Sequence, residues 1–372
     1  MAKKTLFSFE LEAGMIVAED VYKSNGQLIF PKHTMLNDLM IAKLPLYNIM
    51  EIPIEDDPIE KPTIDIEKLT ALAKATAQKE PLSYSDRIKQ SPEFKDFNVK
   101  YTASLNVTEN ALKAFVQDGA PIDVDGLVSN TTSLLSATNN TLQIFDMLHN
   151  MQVSNDAVFV HSVNVSLIAA TLGKWLNFSN QDIDLLTLSG LLHDVGKNSI
   201  PKEILEKPGK LTPEEYELIK THPKKGYAYI KDLPIDMRVK EVCLLHHERC
   251  DGSGYPFGLV GSKISPFAKI IAIADVYDAM ISARSYREAL CPFEAIRLFE
   301  KDGLHKYDPQ FILTFLENVG ASYIHNNVLL SDGSTGEIVM LNKMNLSKPM
   351  IKCKEEFVDL SKRPDLYIKS II

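Results

Sequence analysis

Five of the nine histidines in this 372-residue chain lie between positions 161 and 247: His161, His193, His222, His246 and His247. A lone buried histidine is most often a satisfied core residue, since buried polar groups find partners. Five of them, accompanied by aspartates in apolar surroundings, are harder to explain that way. His193 and Asp194 close an apolar run ending in Leu191-Leu192. An ionisable pair there is costly to bury unless it is paired or binds a metal. Imidazole and carboxylate together suit Fe, Mn, Zn or Ni. A carboxylate can also bridge two cations, and Asp194 is the expected bridge. Two metals ~3.5–4 Å apart turn water into hydroxide at neutral pH and neutralise charge on a phosphodiester. Asp275 follows the apolar run Ile270–Ala274 and also needs a cation, the alternative being an arginine partner or a backbone cap.

The second dense segment runs His246-His-Glu-Arg-Cys-Asp-Gly-Ser-Gly-Tyr-Pro256. Adjacent residues on a helix point ~100° apart, so His246 and His247 can share a metal only at a helix end or a bend. Gly252 and Gly254 would supply that irregularity. By itself, Gly-Tyr-Pro reads as a surface turn.

These residues need a scaffold, and the pattern around them is helical. Val158, His161, Val165, Ile168 and Leu172 recur at spacings of three and four, one face of a helix. Thr212-Pro213-Glu214-Glu215 is a capping-box start with Pro at the first helical position, and Ser265-Pro266 opens another helix. Apolar faces at 184–194, 236–247, 266–284 and 292–301 extend the all-α body over about 121–325. The first 60 residues read as strands. Val21-Tyr22 and Leu28-Ile29 flank an Asn25-Gly26 turn, a helix-like piece covers Leu36–Leu44, and a strand covers Ile49–Ile54. An acidic, proline-marked boundary follows at Glu55–Pro62. Residues 61–120 are expected to be a mostly helical linker, broken near Pro81 and Ser91-Pro92. Residues 326–372 turn β-rich again, with runs at Val328, Ile338 and Phe357 and a turn at Asp332-Gly333. The fold class is mainly α, a helical domain flanked by small β-rich segments.

Forty basic against 49 acidic residues leave a net charge of −9, which argues against a binder of nucleic acid polymers and requires any anion site to be local. Hydrophobic residues at 45% and charged ones at 24% exclude wholesale disorder. Cys243, Cys250, Cys291 and Cys353 form no CxxC pair and no disulfide framework. The N-terminal apolar stretch is cut by Glu10 and Glu12, too short for a signal peptide, and no run approaches ~18 uninterrupted apolar residues. A cytoplasmic protein without membrane contact is expected.

His193-Asp194-Val-Gly-Lys197, Lys220-Thr-His222-Pro223, the His246–Pro256 string and Ile273-Ala-Asp275-Val-Tyr-Asp278-Ala-Met280 resemble the HD-GYP family. These are bacterial cyclic di-GMP phosphodiesterases within the metal-dependent HD superfamily. Arg284-Ser-Tyr-Arg287, Lys207–Thr212 and Phe159-Val-His161-Ser extend the match over 121–325, in the family's order. The resemblance implies a helical HD-type domain with two divalent ions, Fe or Mn before Zn, Ni or Mg. His193 and Asp194 would be the HD pair, with Asp194 bridging. His222, His246 and His247 would complete the second metal, and Asp275 would ligate the first. His161 matches an upstream histidine of the cluster, and its direct ligation is left open. Family members with a third metal carry a glutamate one turn before that histidine. Here the position is Ala157, so two metals are expected. Lys197, Arg284 and Arg287 match phosphate-binding positions, with Tyr255 and Asp278 also on the substrate side.

The expected activity is hydrolysis of cyclic di-GMP to linear pGpG, and onward to GMP in some members, by a hydroxide bridging two metals. Asp194 and Lys197 are the catalytic candidates, with either Lys197 or a bound water protonating the leaving oxygen. The rivals are a low-turnover dinucleotide-binding module that signals through its β-rich flanks, and a hydrolase of another nucleotide. The same flanks are candidate surfaces for a second copy or a protein partner.

Overall fold

The computed structural model describes residues 3–8, 10–22, 28–37, 40–41, 44, 49, 51–55, 84–136, 142–151, 157–282 and 289–372. Backbone contacts divide the chain into two compact units, Met1–Glu80 and Pro81–Ile372.

The first unit contains strands β1 (Lys3–Phe7), β2 (Val21–Tyr22), β3 (Leu28–Phe30) and β4 (Glu51–Glu55). Strand β1 pairs antiparallel with β4, and β2 with β3. The two strands expected around Asn25-Gly26 are therefore paired, while the turn itself lies outside the described residues. So do most of the acidic boundary and the stretch up to residue 83. Of the helix expected over Leu36–Leu44, the described residues are helical only at Met40 and Ile41. Val17, Leu36, Leu44 and Ile52 form this unit's small core.

The second unit is the helical body. Helix α1 (Tyr84–Gln90) ends at Ser91, whose side chain accepts from the Phe94 amide and starts α2 (Pro92–Asp118) with Pro92 in its first turn. Gly119, in the left-handed region at φ 65°, stops it. Helices α3 (Val124–Ser136), α4 (Gln143–Asn150), α5 (Ala157–Trp175) and α6 (Asn180–Leu192) follow. Among the described residues, α5 is the one helix long and apolar enough to cross a membrane by length and composition. Its most apolar window is 78% buried inside the protein, as the central core helix. Helix α6 can lie against it because residue 190 is glycine: a Cβ there would sit 2.4 Å from Ser166 Cα.

A 3-10 turn at Val195–Ser199 leads into α7 (Lys202–Leu205), α8 (Pro213–Ile219), α9 (His222–Ile230) and α10 (Met237–Leu245). The expected capping box is present, with Thr212 and Glu215 each bonding the other's backbone amide. Helices α11 (Pro266–Ile281), α12 (Pro292–Asp302) and α13 (Pro309–Ser322) complete the body, α11 starting at the predicted Ser265 cap. Strands β5 (Asn327–Leu330), β6 (Thr335–Met340), β7 (Met350–Cys353), β8 (Glu356–Asp359) and β9 (Ile368–Ile371) form an antiparallel sheet in the order β8-β7-β6-β5-β9. The β5–β6 turn falls at Asp332-Gly333, where Gly333 has φ 86° and the Ser334 amide donates to Asp332 Oδ1 at 2.9 Å. Val328, Leu330, Ile338, Ile351 and Ile368 pack into the same core as the helices.

Candidate metal centre

Four helix ends and two helix interiors deliver the polar residues to one place. His193 caps the C-terminus of α6, and Asp194 opens the 3-10 turn after it. His222 begins α9. His246 caps α10, so the two adjacent histidines stand where the helix ends, and this lets both rings turn inward. His161 projects from α5 and Asp275 from α11, both within otherwise apolar helices. Gly196 allows the turn to lie against α9, since a Cβ there would be 2.0 Å from the His222 carbonyl oxygen.

The side chains fall into two groups that share one residue. Ligand atoms of Asp194, His222, His246 and His247 lie within 4.8 Å of one another, and so do those of His161, His193 and Asp194. Asp275 joins both edges, with Oδ1 3.0 Å from His161 Nε2 and Oδ2 3.7 Å from His247 Nδ1.

Hydrogen bonds fix the tautomers. His193 Nδ1 donates to Gly190 O at 2.7 Å, His222 Nδ1 to Ile219 O at 2.7 Å, and His246 Nδ1 to Val242 O and Cys243 O at 3.1 Å. A carbonyl only accepts, so in each neutral ring the proton is on Nδ1 and Nε2 presents a lone pair. His222 Nε2 and His246 Nε2 face each other across 3.2 Å. His193 Nε2 and Asp194 Oδ1 are buried and have no hydrogen-bond partner among the described residues. Burial pushes His246 down to about 4 and His247 well below the ordinary histidine range, so both rings are neutral at pH 7. Burial works against the charge of Asp194 as well, yet the Lys197 ammonium holds it well below the usual carboxylate range. Converging imidazole lone pairs around a buried carboxylate are the donor set of a divalent cation site. The residues present fit two such ions, one per group.

His161 is held from behind. Its Nδ1 meets Asp278 Oδ2 at 2.6 Å, and Asn164 Nδ2 donates to Asp278 Oδ1 at 2.8 Å. Ser282, the residue before the segment carrying Arg284 and Arg287, donates to that same oxygen at 2.9 Å. Burial lowers the His161 pKa, but Asp275 and Asp278 more than offset this and raise it to about 9. Asp278, expected on the substrate side, is instead 1% exposed with both oxygens engaged by protein groups. The i, i+3 spacing puts Asp275 and Asp278 on one face of α11, and His161 fits between them.

Lys197 donates to Asp194 Oδ2 from the rim. Tyr255 stacks on the His247 ring at 4.6 Å and 24°, and Lys220 lies 5.6 Å from both the Tyr255 and Tyr216 rings. Arg284 and Arg287 lie outside the described residues.

Sequence reasoning passed over Glu248. Its carboxylate, 2% exposed, accepts from the Phe257 amide at 2.7 Å and the Leu259 amide at 2.8 Å. That folds the Gly-Tyr-Pro loop back so that Tyr255 covers His247. The signal was its place beside two histidines in a string that ends in a glycine-rich turn. Asn164, one turn after His161, was missed in the same way.

A buried histidine–aspartate cluster inside an α-helical body defines an HD-type domain, and residues 129–311 match the family model described as HD domain. The chain resembles the HD-GYP branch of that family in its His193-Asp194 pair and its His246–Pro256 string. It is 37% identical over 203 residues to the cyclic di-GMP phosphodiesterase PA4108 of Pseudomonas aeruginosa, covering 54% of this chain and 49% of that one. It is 39% identical over 152 residues to the cyclic di-GMP phosphodiesterase response regulator RpfG of Xanthomonas campestris, covering 40% of each. A 3'3'-cGAMP-specific phosphodiesterase 1 of Vibrio cholerae is 37% identical over 156 residues, 42% of this chain and 36% of that one. The chain thus spans about half the length, or less, of these relatives. Among solved structures, Bd1817 of Bdellovibrio bacteriovorus aligns over 84% of this chain and 98% of its own, at 20% identity and a TM-score of 0.49.

Proposed function

We propose that this chain is a metal-dependent phosphodiesterase that opens cyclic di-GMP to linear pGpG. The observation that carries the reading is the pair of ligand groups sharing Asp194, with the Nε2 atoms of His193, His222 and His246 directed inward. Asp194, His222, His246 and His247 would hold one divalent ion, and His161, His193, Asp194 and Asp275 the other. Bound there, Fe or Mn would activate water at neutral pH and neutralise charge on the phosphodiester.

The chain's own groups do the remaining work. Asp194 sits between the two ligand groups with its charge maintained by Lys197. The Lys197 ammonium, on the rim and paired with Asp194, would be one source of the proton for the leaving oxygen, a bound water the other. Tyr255 offers an aromatic face, with the Lys220 ammonium beside it, to a substrate with both purines and phosphates. A net-acidic protein needs such local cations to admit a dianion.

The V. cholerae relative favours one rival, hydrolysis of 3'3'-cGAMP, which has the same phosphodiester ring and one adenine in place of guanine. The test is protein loaded anaerobically with Mn2+ or Fe2+ and given each dinucleotide, with Asp194→Ala alongside. Turnover of cyclic di-GMP, abolished in the variant, is the expected result. Higher kcat/KM for 3'3'-cGAMP would move the assignment to that substrate. Equal turnover by Asp194→Ala and the parent would sink the reading.

A further inference from the structure

The His161 support does not end at Asp278. Tyr101, on α2, donates its hydroxyl to Asn164 Oδ1 at 2.6 Å, Asn164 Nδ2 donates to Asp278 Oδ1 at 2.8 Å, and Asp278 Oδ2 meets His161 Nδ1 at 2.6 Å. On its other side His161 Nε2 lies 3.0 Å from Asp275 Oδ1 and 3.7 Å from Asp194 Oδ2. The chain crosses three helices: Tyr101 comes from α2, Asn164 from α5 with His161, and Asp278 from α11. Every member is buried, Tyr101 completely.

Each link has one reading. An asparagine amide that donates through Nδ2 must accept through Oδ1, so the Tyr101 hydroxyl holds its orientation against a flip. That orientation supplies Asp278 Oδ1 with a donor and leaves Oδ2 for the imidazole. A carboxylate accepting from Nδ1–H fixes the ring and turns its Nε2 toward the centre. Tyr101 also lies outside residues 129–311, the part matching the HD family model. A residue from the preceding helix therefore completes the support of the centre.

We propose that Tyr101 is a positioning residue for His161, acting through Asn164 and Asp278, so that the seating of helix α2 sets the metal affinity of the His161 side. A shift of α2 that withdraws the hydroxyl frees Asn164 to rotate, and Asp278 then loses a partner. This gives the segment before the HD domain a mechanical grip on the centre through one hydroxyl oxygen. The inference rests on the metal reading above.

The experiment is Mn2+ titration of the full chain, with free Mn2+ followed by its paramagnetic resonance signal, and urea unfolding measured in parallel. Tyr101→Phe removes one oxygen and leaves the ring. It should weaken the site roughly three- to tenfold, less than the loss typical of a direct second-layer partner. Asn164→Ala breaks the same chain from the other side and should weaken it at least as much. The double variant should lose no more than Asn164→Ala alone, because both act through one path. Ser104→Ala is the control, deleting an equally buried hydroxyl on α2 that faces Thr131 at 3.4 Å. It should lower stability without changing Mn2+ affinity. Parental Mn2+ affinity in both Tyr101→Phe and Asn164→Ala would overturn the relay while leaving the phosphodiesterase reading standing. An equal loss in Ser104→Ala would also overturn it, by showing that packing alone is responsible. A parent chain that binds no Mn2+ would overturn both.

Discussion

Glu248→Gln isolates the device that places the Gly-Tyr-Pro loop over the centre. The carboxylate accepts two backbone amides, Phe257 at 2.7 Å and Leu259 at 2.8 Å, from a fully buried position. Glutamine keeps the shape and one acceptor but turns its NH2 toward one of those N–H donors. Hydrogen bonds to a charged group contribute about 1.5–3 kcal/mol each, so losing one and weakening the other costs about 2–4 kcal/mol locally. At 1.4 kcal/mol per decade, that is roughly a 30- to 700-fold rise in the local opening constant. Amide hydrogen exchange reads it directly. Phe257 and Leu259 should lose protection by that factor, while amides in α5 exchange as before. Because Tyr255 stacks on His247 from this loop, KM for the dinucleotide should rise more than kcat falls. Unchanged exchange at both amides would refute the argument.

Two further outcomes follow from the geometry. The parent chain should bind two Mn2+ per polypeptide by elemental analysis. Ala157 is exposed at the start of α5, one turn before His161, so Ala157→Glu should keep the fold and add a weak third ion; three tightly held ions in the parent chain would contradict this. Asp146 is buried against Tyr84, whose hydroxyl donates to it, and burial lifts its pKa to about 6 against an ordinary value of ~3.9. A raised acid pKa means the folded state binds the proton more tightly, so this stabilisation is full below pH ~4 and is lost as pH rises through 6. Asp146→Asn should therefore gain on the parent by about 1 kcal/mol between pH 5 and pH 8 in urea unfolding, and a pH-independent difference would show that the carboxyl is not the cause.

Sequence made the ligand set legible because metal chemistry restricts residue type so severely. His193-Asp194 after an apolar run, His246-His247 before glycines, and Asp275 after Ile270–Ala274 each violate the burial rule, and the structure gathers them all. Helix starts at Thr212 and Ser265 were legible for a related reason, since these caps act within three residues of themselves, while Ser91, read as a break, caps the start of α2. Strands β7 and β9 were not foreseen, because Met350–Cys353 and Ile368–Ile371 are short and acquire their meaning only from partners far along the chain.

Asp278 shows where such reasoning stops. The family resemblance put it on the substrate side, and the structure places it on the same face of α11 as Asp275. What decides its role is which oxygen meets which ring nitrogen. That depends on His161 entering from a helix 117 residues away and on Asn164 occupying the other oxygen. A carboxylate with one free oxygen can take a substrate hydroxyl; one with both oxygens engaged can only hold what already touches it. On the proposed metal reading, how firmly the ion on the His161 side is held should be set by the groups behind that ring. Here those groups reach beyond the HD domain to Tyr101.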